Sequence, residues 1–236
     1  MSIAPTAPVV EYPSEDGERM AETQLHVDAM ILLTQALEDF YRGRDDVGIC
    51  TDQFWYWEEG NPDLKTAPDV MVSLGTPAER GRRERSSYRQ WEENGVCPAV
   101  VFEMASMSTW RNDLGEKYEL FERLGVREYF IFDPEAKYVV PALQGYRLQG
   151  SAYRRMVAAE EELTSELGFR VRSEGLTLRL IDGRTNQPIP TREEAVQSAE
   201  SRADAERQRT EAERKRADAL AAELAELRQR LTGGNT

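Results

Sequence analysis

Histidine and cysteine are scarce in this 236-residue chain, which has one histidine, His26, and two cysteines, Cys50 and Cys97. A zinc site is therefore not expected, because zinc in proteins is held largely by clusters of these side chains. Two cysteines without metal-ligand spacing predict free thiols in a reducing cytoplasm. His26 lies beside the apolar face of a predicted helix, and we expect it at the helix surface or at the edge of the core.

Long hydrophobic runs are also missing. No apolar stretch approaches the roughly 20 residues that a membrane-spanning helix needs. Residues 1–20 are rich in Pro, Glu and Ser and lack the basic and then apolar order of a signal peptide. These features predict a cytoplasmic protein that does not associate with a membrane, with a disordered segment over residues 1–20 in which only residues 9–12 could pair.

The chain has no surplus of positive charge. Its net charge is −13, and residues 191–236 contribute only −1 of it, with 10 acids and 9 bases. Any nucleic-acid enzyme of this composition must concentrate its basic residues locally. Five arginines form such a cluster: Arg80, Arg82, Arg83, Arg85 and Arg89. Because four glutamates lie among them, a solvated loop of mixed charge is an equally good interpretation.

Two carboxylates are present where apolar strands are expected. Asp69 lies within residues 67–72, and Glu103 lies within residues 99–105, an apolar and β-branched run typical of a buried strand. An ionised carboxylate in such a place costs several kcal/mol unless a cation or good hydrogen bonds compensate it. Two such acids on neighbouring strands would share one site, and a divalent metal ion is the usual remedy.

The hydrophobic pattern predicts an α/β or α+β domain over residues 21–190, with a mixed sheet and flanking helices. We expect helices over residues 21–42 and 112–124, a strand over residues 128–132, and an antiparallel hairpin region over residues 137–182 that extends the sheet. Two tryptophans, Trp55 and Trp57, lie in a strand-like run; packing in the core is the simpler role for them, and stacking on bases is the alternative.

Residues 192–231 differ from the rest, since Ala, Glu and Arg dominate and Gly, Pro and aromatic residues are lacking. A heptad register places Leu220, Leu224, Leu227 and Leu231 on one seam. The tail therefore predicts a helix that self-associates as a coiled coil near its C-terminal end, and a solvated single helix is the alternative.

Lys117 follows Asp113 by four residues, so the two share one face of the predicted helix 112–124. A surface ion pair is the ordinary explanation. The functional one brings the Lys117 ammonium back to Asp69 and Glu103, where it could orient a water or stabilise negative charge. Two carboxylates and a main-chain carbonyl are hard oxygen ligands that suit Mg²⁺ or Mn²⁺ and the hydrolysis of a phosphate chain.

Together, these residues resemble the motifs of a known family. The residues that carry the resemblance occur in this order: Pro68-Asp69, Phe102-Glu103-Met104-Ala105-Ser106, Ser108-Thr109, Asp113, Lys117, Phe121 and Gly125-Val126-Arg127-Glu128-Tyr129. The order is similar to that of the Uma2 family, which is placed among the PD-(D/E)XK restriction-endonuclease-like proteins. The similarity spans residues 21–190 and includes the His26 helix and residues 162–168 and 178–182. The Ala/Glu/Arg tail resembles those of many members.

The resemblance implies a core of four mixed strands flanked by helices. It implies that Asp69, Glu103 and the Met104 main-chain carbonyl bind the metal. The lysine usual in the superfamily would fall at position 105, where this chain has Ala105, and Lys117 looks like its substitute. Ser106 and Asp113 would orient neighbouring groups.

Three functions are consistent with this sequence. The first is a Mg²⁺- or Mn²⁺-dependent endonuclease that hydrolyses DNA phosphodiester bonds, with the arginine cluster on the phosphate backbone. The second is a catalytically inactive nuclease-like module whose coiled tail recruits a partner or a second copy. The third is a hydrolase of small phosphate esters.

Overall fold

In a computed structural model, the chain is described at residues 10–13, 23–77 and 85–233, with side chains described up to residue 228. The helices are α1 (Gln24–Phe40), α2 (Trp110–Asp113), α3 (Glu116–Leu124) and α4 (Arg192–Gly233), with a 3-10 helix at Gln90–Glu92. The strands are β1 (Val47–Thr51), β2 (Trp55–Tyr56), β3 (Lys65–Thr66), β4 (Val70–Leu74), β5 (Tyr88–Arg89), β6 (Val100–Met104), β7 (Glu128–Phe132), β8 (Leu143–Gln149), β9 (Ala152–Arg155), β10 (Glu162–Thr164), β11 (Phe169–Glu174), β12 (Thr177–Asp182) and β13 (Gln187–Pro188).

A mixed six-stranded sheet in the order β1-β4-β6-β7-β8-β9 forms the centre of the fold. Its neighbours pair antiparallel except β6 and β7, which are parallel and are joined by the crossover through α2 and α3. A four-stranded sheet in the order β10-β11-β12-β13 and a small sheet in the order β3-β2-β5 complete the described strands. The predicted α+β class with a long C-terminal helix is thus confirmed.

The central sheet is covered on both faces, because alternate residues of its strands enter two different cores. Val70, Val72, Val100 and Phe102 pack with α1 and with β11 and β12. The residues between them, Met71 and Val101, pack on the other face with Phe121 of α3. Strands that are buried on both sides read as continuous apolar runs, which explains why residues 99–105 are apolar at every position except Glu103.

Two details of the predicted elements were wrong. The single helix expected over residues 112–124 is broken into α2 and α3 at Gly115, and a Cβ at this glycine would lie 2.9 Å from the backbone oxygen of Arg111. The hairpin region does not extend one sheet throughout: β8 and β9 join the central sheet, whereas β10 to β13 form a sheet of their own. The chain turns away after β9, so hairpin spacing alone could not show this.

The predicted strand segment within residues 9–12 falls partly outside the described residues, as do most of residues 1–20. Where residues 10–13 are described, they are not in a strand. The Tyr12 ring contacts Tyr56 and Trp91, and the Tyr56 hydroxyl donates to the Pro13 carbonyl oxygen at 2.5 Å. This short segment therefore lies against the small β3-β2-β5 sheet.

The chain divides into two compact units, residues 1–189 and 190–236. The second unit contains α4, whose Leu220, Leu224 and Leu227 are all exposed. None of the helices in the described residues combines the length and apolar character that crossing a membrane requires. Cys50 and Cys97 are free thiols.

Candidate active site

Asp69 directly precedes β4, and Glu103 lies in the neighbouring strand β6. The antiparallel register of β4 and β6 pairs Val70 with Phe102, so Asp69 comes opposite Glu103 when this register is continued by one position. The Asp52 N–H donates to the Asp69 carbonyl oxygen at 3.0 Å, which continues the pairing of β1 and β4 by one residue. Directly opposed residues project to the same face with Cβ atoms about 4.5–5.5 Å apart. The face is the one that α3 covers, because Glu103 has the parity of Val101.

Met104 contributes a backbone contact to the same place. Its N–H donates to Asp69 Oδ2 at 2.5 Å. In extended backbone the N–H and carbonyl of one residue point to the same side, so the Met104 carbonyl faces the β4 side of its strand as well. The two acids and this carbonyl are the oxygen set that the sequence predicts as ligands.

Lys117 comes from α3 and reaches both carboxylates that surround it. Its Nζ lies 2.8 Å from Glu103 Oε2 and 3.7 Å from Asp113 Oδ1. The break at Gly115 places Asp113 and Lys117 on different helices, so their proximity does not come from a shared helical face. The Lys117 side chain is only 17% exposed. It is therefore an internal cation and not half of a surface ion pair.

Burial and mutual repulsion shift the pKa values of these groups. Burial is the main cause that raises the pKa of Glu103 well above its usual value; Lys117 opposes the shift, and Asp69 and Asp113 add to it. Burial raises the pKa of Asp113 to about 6 against the opposing effects of Lys117 and a Thr109 hydrogen bond. The pKa of Lys117 is raised because the attraction of Glu103, Asp69 and Asp113 outweighs its burial. A concentration of negative charge around one cation is the electrostatic signature of this site.

His26 belongs to this site, although we expected it at a helix surface or core edge. Its side chain is buried, and its Nε2 lies 3.2 Å from Asp69 Oδ2. Only its rarity as the single histidine could have drawn attention to it in the sequence. The contact joins α1 to a residue more than forty positions away, which no local pattern reveals.

Ser106 lies at the turn that follows β6, close to but outside this cluster of contacts. Its hydroxyl contacts those of Ser108 and Thr109, and its N–H donates to Thr109 Oγ1 at 3.0 Å. Together with His26, these residues line a groove of about 650 Å³ that also includes Met107 and Tyr138.

The predicted arginine cluster is placed only in part. Arg80, Arg82 and Arg83 lie outside the described residues. Arg85 is buried, and its guanidinium donates two hydrogen bonds to Glu93 at 2.7 and 2.8 Å. Arg89 lies over the Tyr12 ring at 5.0 Å and contacts Glu92. Trp55 is fully buried, and its indole N–H donates to Gln90 Oε1, which makes it a core residue.

A divalent ion is compatible with the residues at the site. In the described part of the chain no three His, Cys, Asp or Glu side chains form a ready-made metal cluster, so the backbone carbonyl is needed. Glu103 Oε1 is buried and accepts no hydrogen bond within the described residues, while Oε2 of the same carboxylate is held by Lys117. An acceptor left unsatisfied in the interior is costly, and a hard cation would satisfy it.

Replacing Asp113 by asparagine should stabilise the protein at pH 8 and have little effect near pH 4. Because its pKa is raised, the Asp113 carboxyl binds its proton more tightly in the folded protein than in the unfolded chain. Ionised Asp113 therefore lowers stability above its pKa of about 6, and this loss disappears as the pH falls below 3.8, the ordinary pKa of the group. The full cost is about 3 kcal/mol. Urea unfolding between pH 4 and pH 8 measures it, with Asp63→Asn on an exposed residue as the control. An equal gain in stability from Asp113→Asn at every pH would refute the raised pKa assigned to Asp113.

The chain is similar to a protein family and to solved structures. A family model described as "Uma2: Putative restriction endonuclease" matches residues 3–180. Among solved structures, the chain is similar to a "putative nuclease belonging to DUF820" from Anabaena variabilis, with 12% sequence identity and a TM-score of 0.44. That match covers 65% of this chain and 80% of the other. No curated protein matches the chain significantly.

Proposed function

This chain belongs to the Uma2 family, and from that membership and the site geometry we propose that it is a Mg²⁺- or Mn²⁺-dependent endonuclease that hydrolyses DNA phosphodiester bonds. One observation carries the proposal. The buried Glu103 carboxylate, opposite Asp69 in the sheet, has one oxygen on the Lys117 ammonium and the other without a hydrogen-bond partner among the described residues. An acceptor left without a partner in the interior is costly, and a hard cation would satisfy the second oxygen.

The residues divide the chemistry between them. Asp69, Glu103 and the Met104 carbonyl would hold the ion. A bound divalent cation neutralises a phosphodiester oxygen and lowers the pKa of a coordinated water. Lys117 holds Glu103 in place and presents positive charge where negative charge develops in the transition state. Asp113, 3.7 Å from the ammonium, restricts where Lys117 can point.

A nuclease-like module without activity is the second candidate. The net charge of −13 favours it, because a polyanionic substrate is repelled by an acidic protein. The alanine at position 105 also favours it, since the lysine usual in the superfamily is missing there. On this alternative Lys117 would serve only to neutralise Glu103.

Nicking of supercoiled plasmid DNA distinguishes these candidates. We expect wild-type protein to nick the plasmid with Mg²⁺ or Mn²⁺ and to lose this activity with EDTA. Lys117→Ala should be strongly impaired, while hydrolysis of a small phosphate ester should be negligible in both proteins. Intact plasmid at every metal concentration would favour the inactive module, and ester hydrolysis without nicking would favour the third function.

We also propose that the tail binds a second copy of the chain. Leu220, Leu224 and Leu227 recur at coiled-coil spacing and are about half exposed in the single chain. Truncation after residue 191 should leave a folded catalytic unit that sediments as a monomer, whereas the full chain should sediment as a larger species at high concentration. If the full chain and the truncated chain both sedimented as monomers, the coiled coil would be excluded.

A further inference from the structure

His26 is brought to the site by an element that the strand–strand–helix motif does not include. It lies in the first turn of α1, where the Thr23 side chain caps the helix by accepting from the His26 N–H. The rest of α1 packs on the opposite face of the sheet through Ala29, Leu33 and Leu37. The imidazole thus comes from a rigidly anchored helix start and not from a mobile loop.

Two nitrogen atoms approach the same oxygen of Asp69. The Met104 N–H donates to Oδ2 at 2.5 Å, and His26 Nε2 lies 3.2 Å from that same Oδ2. A neutral imidazole with its hydrogen on Nε2 is sufficient for an attractive contact. Since both contacts fall on Oδ2, the carboxylate is fixed in one orientation and Oδ1 is left to serve as a ligand.

The position of His26 also separates it from Lys117, the cation of this site. Lys117 contacts Glu103 and Asp113, whereas His26 contacts Asp69. Each of the two acids that face each other across β4 and β6 therefore has its own nitrogen contact on one oxygen. An arrangement of this kind keeps two like-charged groups together while one oxygen of each remains for a shared ion.

We propose that His26 is a positioning residue that orients the Asp69 carboxylate for divalent-metal binding, an inference that rests on the proposed function. Groups that hold a metal ligand in place commonly change metal affinity by about 10–100-fold when they are replaced. His26 acts through Asp69 and is not itself assigned as a ligand.

Five variants test the proposal by calorimetric titration with Mn²⁺. His26→Leu should bind Mn²⁺ about 10–100-fold more weakly than wild type. His26→Gln places an amide nitrogen near the Nε2 position and should stay within about threefold, whereas His26→Asn places its amide near Nδ1 and should behave like His26→Leu. Adding His26→Leu to an Asp69→Asn protein should change Mn²⁺ binding no further, because the carboxylate that it orients is gone.

The outcomes separate this inference from the proposed function. If wild type binds Mn²⁺ and all single His26 variants bind it equally well, the positioning role is wrong while the metal site stands. If wild type itself binds no Mn²⁺, the proposed function fails and the inference fails with it. Should His26→Leu not fold, as judged by its unfolding transition without metal, the comparison of His26→Gln with His26→Asn decides alone, and equal affinities refute the role.

Discussion

Replacing Glu103 with glutamine is expected to lower metal-dependent nicking by about 100-fold to 1000-fold. A loss of this size is typical when one preorganised electrostatic group is removed from a catalytic site. Glutamine has nearly the same volume and can still accept a hydrogen bond from Lys117. It lacks the negative charge that a divalent ion requires from a largely apolar interior. The variant should therefore remain folded, and it should lose the increase in melting temperature that we expect Mg²⁺ or Mn²⁺ to produce in wild type.

The matched control is Glu119→Gln, which makes the same change on an exposed position of α3. It should nick plasmid and respond to metal as wild type does. If Glu103→Gln retained nicking at the wild-type rate, the carboxylate would have no part in the reaction, and the assignment of the site would be wrong.

Replacing Lys117 with methionine should have the second largest effect, on both stability and activity. Methionine keeps the aliphatic length but leaves Glu103 and Asp113 buried without their cation. Removing one partner of a buried ion pair costs about 3–5 kcal/mol. Nicking should fall by about 100-fold or more, because the positive charge that we propose to stabilise the transition state is lost.

The loss of stability should depend on pH in a defined direction. Burial already raises the pKa values of Glu103 and Asp113, and without the opposing effect of Lys117 these values rise further. In the folded variant these two carboxyl groups then bind protons more tightly than they do in the unfolded chain. The stability of the variant therefore increases as the pH falls from the pKa values of the folded state toward those of the unfolded state. Urea unfolding should show a larger deficit at pH 8 than at pH 5.

Lys137→Met is the control for this experiment, because Lys137 forms an exposed ion pair with Glu135. Exposed pairs contribute about 0–1 kcal/mol, so this variant should stay close to wild type at every pH. A deficit for Lys117→Met that is small or independent of pH would show that the ammonium is not the counter-ion of buried carboxylates.

The sequence predicts the proximity of the two acids because Glu103 lies in one short buried strand and Asp69 directly precedes another. The run around Glu103 is too short and too β-branched for a helix, and its burial on both faces is what the central position of β6 requires. The strand at residues 128–132 coincides with β7. In each case a local pattern and the tertiary environment favour the same structure.

The contributions of His26 and the break at Gly115 could not be predicted, since both depend on distant packing. Nothing near His26 in the sequence indicates that the start of α1 meets the residue before β4. Helical spacing correctly links Asp113 and Lys117 but gives the wrong reason, because α2 and α3 are separate helices whose side chains converge on the carboxylates. Arg85 likewise reads as part of a basic surface, and only the fold brings Glu93 against it.

Part of the family pattern is explained by architecture and not by chemistry. Glu128 is fully buried and is held by Arg147, by the Ser165 hydroxyl and by the Glu166 N–H at 2.9 Å. This network joins β7 to the turn after β10, and so connects two separate stretches of the resemblance, residues 125–129 and 162–168. Their role is to attach the second sheet to the first.

Calorimetric titration of Mn²⁺ into wild type and into Glu103→Gln is the most direct test of the claim that two opposed acids form a metal site. We expect saturable binding of Mn²⁺ by wild type that weakens as the pH falls, because the raised pKa of the buried Glu103 carboxyl makes protons compete with the ion. We expect Glu103→Gln to lose this binding. Absence of binding by wild type, or equal binding by both proteins, would contradict the claim.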